Sequence, residues 1–95
     1  MIRATVHFSG RVQGVGFRYT TATIAQRFGV AGYVENLQDA RVRLVAEGNS
    51  IEIYQLIEQI QEQIGSYIAS HTVEHSEPTG EFGAPDSTGT FNVRY

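Results

Sequence analysis

The chain has no cysteine, which removes disulfides, thiolate catalysis and cysteine-based zinc sites together. It has no lysine either. All seven basic side chains are arginines, at 3, 11, 18, 27, 41, 43 and 94, and they form no run. Without lysine, the triphosphate loop GxxxxGK[ST] cannot be built. Only two aspartates occur, Asp39 and Asp86, so the Asp-x-Asp arrangement of an aspartyl-phosphate enzyme is missing. Positive charge is scarce as well: the formal net charge is −3 and the pI lies near 5.5. Broad nucleic-acid binding needs a basic face, so no nucleic-acid partner is expected. No apolar run approaches the ~18 residues of a membrane span. The opening MIRATVHFSG lacks the apolar core of a secretory signal. A cytoplasmic, membrane-free protein is therefore expected.

What is present fits one soluble domain over residues 1–95. The 41% hydrophobic and 18% charged residues suffice for one modest core and no more. Ile2, Ala4, Val6 and Phe8 alternate with polar residues, the period of a half-buried strand. Phe17, Thr21, Ile24, Ala25 and Phe28 follow at helical spacing, and Gly29 stands where a helix-ending glycine belongs. Val30–Leu37 and Arg41–Glu47 read as two strands around a turn at Gln38-Asp39-Ala40. Asn49 followed by Glu52 resembles a capping box. Behind it, Ile53, Leu56, Ile57, Ile60, Ile64 and Ile68 mark the clearest helix. This apolar stripe is expected to face the core. A strand around Thr72–Glu77, an exposed Gly/Pro/Ser/Thr-rich loop over Glu77–Thr88, and a closing strand at Phe91, Val93 and Tyr95 complete the order.

This β-α-β-β-α-β order, with one short extra strand, predicts an α+β ferredoxin-like sandwich: two helices on one face of an antiparallel sheet. A right-handed crossover through the first helix makes strands one and two parallel. Asn36, at the end of strand two, then sits on the same rim as the loop leaving strand one.

That loop is GRVQGVGFR, Gly10 to Arg18. It holds three glycines and two arginines in nine residues of an acidic chain. Successive N–H groups in a glycine-permitted turn can converge on an anion. The helix behind adds its positive dipole end, and Arg18 adds a fixed charge suited to phosphate oxygens. The dinucleotide fingerprint GxGxxG is not met, because no third glycine follows Gly14 and Gly16 in register. From spacing alone, a plain strand-to-helix turn remains an equal reading.

GRVQGVGFR also resembles the signature loop of the acylphosphatases. GYVENLQDARV, Gly32 to Val42, resembles their second signature, Gly-aromatic-Val-x-Asn-x-x-Asp-Gly-x-Val. Order and spacing match, from strand one to the closing FNVRY. The resemblance implies hydrolysis of the carboxyl-phosphate bond, giving a carboxylate and inorganic phosphate. It assigns phosphate binding to Arg18 and orientation of the attacking water to Asn36. The phosphate cradle falls on the backbone of Arg11, Val12, Gln13, Gly14, Val15, Gly16 and Phe17, chiefly the amides of Val12 to Gly16. Gln13 shapes the loop. One departure is Ala40, where the family usually has glycine.

The residues suit that chemistry. Metal-assisted hydrolysis needs a cluster of histidines and carboxylates. His71 and His75 share a strand face without a supporting acid and read as a surface pair, while His7 reads as a solvated residue. What remains is water attack on a phosphoryl group held by amides and Arg18, where positioning and charge stabilisation carry most of the catalysis. No strong acid stands near the loop. The leaving group must therefore depart unprotonated, as a carboxylate with a conjugate-acid pKa near ~4 can. The expectation is a metal-free, cofactor-free monomer acting on a small acyl phosphate, with inorganic phosphate as product and inhibitor. Two rivals stand beside it. One is a non-catalytic anion- or metabolite-binding domain on the same scaffold. The other is a relative of the acylphosphatase-like domains of larger carbamoyl-transfer maturation proteins. A ferredoxin-like sheet could also bind RNA, but neither a stacking motif nor a basic surface is evident.

Overall fold

Alternation along residues 2–10 produces the strand it predicts. In β1 (Ile2–Gly10), Ala4, Val6 and Phe8 are fully buried, while Arg3, Thr5 and His7 lie on the other face and are only half-buried. The computed structural model describes residues 1–83 and 91–94. There β1 is followed by α1 (Phe17–Ala25), β2 (Val30–Asn36), β3 (Val42–Gly48), α2 (Ser50–Ile64), a 3₁₀ turn at Gly65–Tyr67, β4 (Ile68–Ser76) and β5 (Phe91–Arg94). Residues 84–88 of the expected loop, Asp86 among them, and Tyr95 of the closing strand lie outside the described residues.

The five strands form one sheet in the order β4-β1-β3-β2-β5. Neighbours are antiparallel except β5, which runs parallel to β2 and makes the sheet mixed. Val42 of β3 pairs with Phe8 on one side and with Asn36 on the other. Strands β1 and β2 therefore run parallel on either side of β3 and end on one rim, as the crossover rule requires. Both helices cover the same face. Ile24 and Ala25 from α1 and Ile53, Leu56 and Ile60 from α2 meet Val6, Phe8, Val34, Leu44 and Ala46 in one core. No helix among the described residues is long and apolar enough to cross a membrane.

Helix ends depart from the sequence reading. Gly29 does not end α1. The helix stops at Ala25, and its last turn tightens through Arg27 N–H to the Ile24 carbonyl and Phe28 N–H to that of Ala25. All of this is right-handed, so no left-handed glycine is needed. Asn49 does cap α2, accepting from the Ile51 N–H at 3.0 Å. Glu52 does not close the box: its carboxylate accepts from the Gly29 N–H at 3.3 Å and ties the α1–β2 connection to α2. Ile68 belongs to β4 and not to the helix, because the 3₁₀ turn intervenes. Strand β4 accordingly begins four residues earlier than its alternation suggested.

The outer face of the sheet is also partly covered. Glu47, opposite Arg3 in the ladder, is 2% exposed. Its carboxylate accepts from the backbone N–H groups of Thr79 (2.7 Å) and Gly80 (3.0 Å), from the Thr79 hydroxyl and from Arg3. Phe82 meets Tyr33 edge-on at 5.5 Å, with the Arg3 guanidinium 5.2 Å from the Phe82 ring centre. Residues 79–82, expected as a plain exposed loop, are thus a strap fastened to a buried carboxylate. Burial pushes the Glu47 carboxyl up, but the N–H groups of Thr79 and Gly80, the Thr79 hydroxyl and Arg3 outweigh it and hold it below the usual range.

Candidate active site

Strand β1 leaves the sheet through Gly10, at φ 130°, where a Cβ would lie 2.5 Å from the Tyr67 carbonyl oxygen. The Arg11 N–H bonds that same oxygen at 2.9 Å, so this amide of the expected cradle is already engaged. Val12 then dips into the core at 1% exposure and anchors the loop from below. Under the loop, the rings of Phe8 and Phe17 pack 5.2 Å apart, joining β1 to the start of α1.

Gly14 and Gly16 have φ of 78° and 75°, and a Cβ at either would meet nothing within 4 Å. Their need for glycine is conformational, not steric. The left-handed Gly16 is the N-cap of α1. It offers no side-chain cap, and no acidic residue stands in the first turn. Among the described residues, the amides of Val12 to Gly16 have no hydrogen-bond partner. A run of free N–H groups at a bare helix N-terminus is an anion-binding arrangement.

Arg18, second in α1, donates from Nη1 to the Arg94 carbonyl at 2.8 Å, which fixes its guanidinium against β5. Strand β5 is pinned in turn by the Arg94 guanidinium, 3.5 Å above the Tyr33 ring. Asn36 ends β2 on the same rim. Its amide oxygen is buried and without a hydrogen-bond partner, an unusual condition for a buried polar atom. Gly14, Gly16, Arg18 and Asn36 line a single cavity of about 140 Å³ together with Val12 and Phe17. Tyr19 and Val93 complete its wall.

Gln13 does not line this cavity. Its Nε2 donates to the carbonyls of Leu37 (2.8 Å) and Arg41 (3.0 Å), clamping the glycine loop onto the β2–β3 hairpin. That hairpin turns through Leu37–Arg41. The Ala40 N–H bonds the Leu37 carbonyl and the Leu37 N–H bonds the Arg41 carbonyl. Ala40 sits at φ 73°, the left-handed region, and is the one non-glycine there among the described residues. Asp39 braces the turn by accepting from the N–H of Arg41 and from its Nε. The backbone N–H of Arg41, above all, holds the Asp39 carboxyl below the usual range.

The histidines lie elsewhere. His71 and His75 are exposed on β4 and reach α2 through Gln61 and the Tyr54 hydroxyl, both at 2.9 Å. Among the described residues, no group of three or more His, Asp or Glu side chains could hold a metal ion. Val15 is 40% exposed at the loop's tip. Sequence reasoning missed three contributors. The Arg94 carbonyl and Val93 reach the rim only through the parallel pairing of β5 with β2. Tyr19 escaped because it falls outside the series Phe17, Thr21, Ile24, Ala25 and Phe28 read at helical spacing.

A family model described as acylphosphatase matches residues 4–88. The chain belongs to the acylphosphatase family. An acylphosphatase from Haloarcula marismortui is 45% identical over 84 residues, covering 85% of this chain and 90% of that protein. One from Bifidobacterium longum is 41% identical over 78 residues, covering 82% and 80%. The crystal structure of the acylphosphatase from Bacillus subtilis superposes with a TM-score of 0.84 at 29% identity, each chain covered completely. The T. kodakarensis HypF structure also matches, with a TM-score of 0.79 at 29% identity, but this chain covers only 12% of it. Membership of the acylphosphatase family, with such relatives, supports acyl phosphate hydrolase activity on a small-molecule substrate.

Proposed function

We propose that the chain hydrolyses acyl phosphates by direct attack of water on a phosphoryl group held by the amides of Val12 to Gly16 and by Arg18. The observation that carries this reading is Asn36, which lines the same cavity as Arg18 and whose amide oxygen is buried and unpartnered. A site that only bound an anion would gain nothing from an acceptor there, since an acceptor repels a phosphate oxygen. An attacking water, by contrast, needs an acceptor for one of its protons. The alternative of a non-catalytic anion-binding domain is disfavoured on that ground.

In the proposed step the water oxygen forms a bond to phosphorus as the bond from phosphorus to the acyl oxygen breaks. The electron pair leaves with the carboxylate, and the water's proton passes to a phosphoryl oxygen, because an amide is too weak a base to keep it. Loop amides and Arg18 receive the charge on the equatorial oxygens. Among the described residues, no carboxylate or histidine lines the cavity. A leaving alkoxide would go unprotonated, whereas a carboxylate departs without help. Arg18 and the helix N-terminus supply the positive charge that Mg²⁺ supplies elsewhere, so the reaction proceeds without metal. The reading takes residues 1–95 as one cytoplasmic domain acting as a monomer.

Initial rates on acetyl phosphate and on an alkyl phosphate monoester, each with and without excess chelator, test the proposal. Acetyl phosphate should be cleaved equally in both conditions and the monoester hardly at all. Chelator-sensitive rates, or comparable cleavage of the monoester, would contradict it.

A further inference from the structure

A second cavity lies away from the glycine loop, between the end of α2 and the start of β4. At about 280 Å³ it is twice the volume of the first and shares no residue with it. Gln61, Gly65, Ile68, Ala69, Ser70 and His71 line it. Gly65 opens the space. Its φ of −64° and ψ of −21° suit any L residue, and a Cβ there would meet only the Gln61 Cβ, at 3.9 Å. Ile68, packed against the core, and Ala69 give the cavity an apolar floor. Ala69 is the unpaired bulge residue where the ladder steps from Ser9–Ser70 to Gly10–Ile68.

Acceptors dominate the polar part. Gln61 directs its Nε2 to His71, 2.9 Å from Nδ1, which leaves Oε1 of the same amide without a protein donor among the described residues. Helix α2 ends beside it with no basic residue in its last turn, so its carbonyl end stays negative. Strand β4 is an edge of the sheet and presents unpaired carbonyls on its outer side. Charge is also segregated along the chain. Residues 44–93 carry eight of the ten acidic side chains and none of the seven arginines. The glycine loop and Arg18 belong to the arginine-bearing remainder.

From these features we infer that the α2–β4 cavity is a binding site for a small organic cation, a primary ammonium on a short aliphatic chain. Its three N–H groups would bond Gln61 Oε1 and backbone carbonyls at the helix end, and its chain would lie on Ile68 and Ala69. A metal ion fits poorly, since among the described residues no three His, Asp or Glu side chains could hold one. An anion would face the negative end of α2.

The test is a titration with n-butylammonium chloride at pH 8 and fixed ionic strength, followed by amide ¹H–¹⁵N resonances. Sodium butyrate and tetramethylammonium chloride are the controls. Butylammonium should bind saturably in the millimolar range, shifting the amides of Gly65 and of Ile68 to His71 together with the Gln61 side-chain amide. Butyrate should shift none of them, and tetramethylammonium, which has no N–H, should not saturate. Gly65→Leu fills the cavity and should abolish the response. Gln61→Leu, at an exposed position, removes the acceptor and should weaken binding about tenfold. Saturable binding that survives Gly65→Leu, or that keeps its full strength in Gln61→Leu, would overturn the site. A wild type that does not respond to butylammonium, or responds equally to butyrate, would overturn the cationic ligand.

Discussion

Two loops in this molecule bring backbone N–H groups and an arginine together, and they differ in whether the protein itself supplies an anion for them. In the strap over the outer sheet face, the N–H groups of Thr79 and Gly80, the Thr79 hydroxyl and Arg3 surround the Glu47 carboxylate. The protein has supplied the negative charge itself, and the result is a fastened loop. In the glycine loop, Val12, Gly14, Gly16 and Arg18 border a cavity that, among the described residues, no carboxylate lines. Donors left open at a helix N-terminus are costly unless something outside the fold completes them. A filled cradle contributes to stability, while an open one is free to bind substrate. Substitutions that remove the donors or the anion from either cradle probe this contrast.

The largest effect should come from the open cradle. Arg18→Gln removes its one fixed charge, and activity on acetyl phosphate should fall about 1,000-fold or more, with phosphate affinity lost alongside. An unaltered circular-dichroism spectrum and melting curve would establish that the loss is local. Retained phosphate inhibition in this variant would move the anion site elsewhere.

Asn36→Ala should separate catalysis from binding. If its amide oxygen orients water, kcat falls about 100-fold while the Ki of phosphate hardly changes. Collapse of phosphate affinity with kcat preserved would reverse the roles given to Asn36 and the loop.

The filled cradle should respond in stability and not in turnover. Glu47→Gln replaces one acceptor oxygen by a donor amide facing other donors, and should cost about 2 kcal/mol at neutral pH. The pH dependence has a definite sign. A carboxyl held below its ordinary value stabilises the fold above that value, near ~4.3, and loses the contribution as pH falls further. The gap in unfolding free energy between wild type and Glu47→Gln should therefore narrow below pH ~4. A gap that stays constant from pH 7 to pH 3 would show that the carboxylate's charge is not what holds the strap.

Ala40→Gly should have the smallest effect. At φ 73° alanine bears a left-handed cost of ~1 kcal/mol, and the greater unfolded-state freedom of glycine offsets part of the relief. A net gain of a few tenths of a kcal/mol in urea unfolding is expected. A lower midpoint in the glycine variant would mean that the hairpin clamped by Gln13 draws no strain from Ala40.

The contrast between the two cradles also marks what could be read from the sequence. The open cradle is local in the chain: nine consecutive residues carry its glycines and Arg18, and period-two alternation plus one crossover rule bring Asn36 beside it. The filled cradle is not local. Glu47 alternates outward in β3 and looks solvated, and its partners lie 32 and 33 residues away in a segment that reads as loop. No periodicity encodes such a pairing. The same limit explains the Arg94 carbonyl behind Arg18, which depends on the parallel pairing of β5. Gly29 and Glu52 misled for a related reason. Their local roles as helix stop and cap were sound chemistry, but the connection packed against α2 gave the Gly29 N–H to Glu52 instead.

The measurement that tests the central claim most directly is a titration with inorganic phosphate followed by amide ¹H–¹⁵N resonances. The open-cradle account predicts saturable shifts concentrated on Val12 to Gly16, lost in Arg18→Gln, with the Thr79 and Gly80 amides unmoved because Glu47 already occupies them. Shifts centred on Thr79 and Gly80, or a glycine loop that does not respond at saturating phosphate, would contradict it.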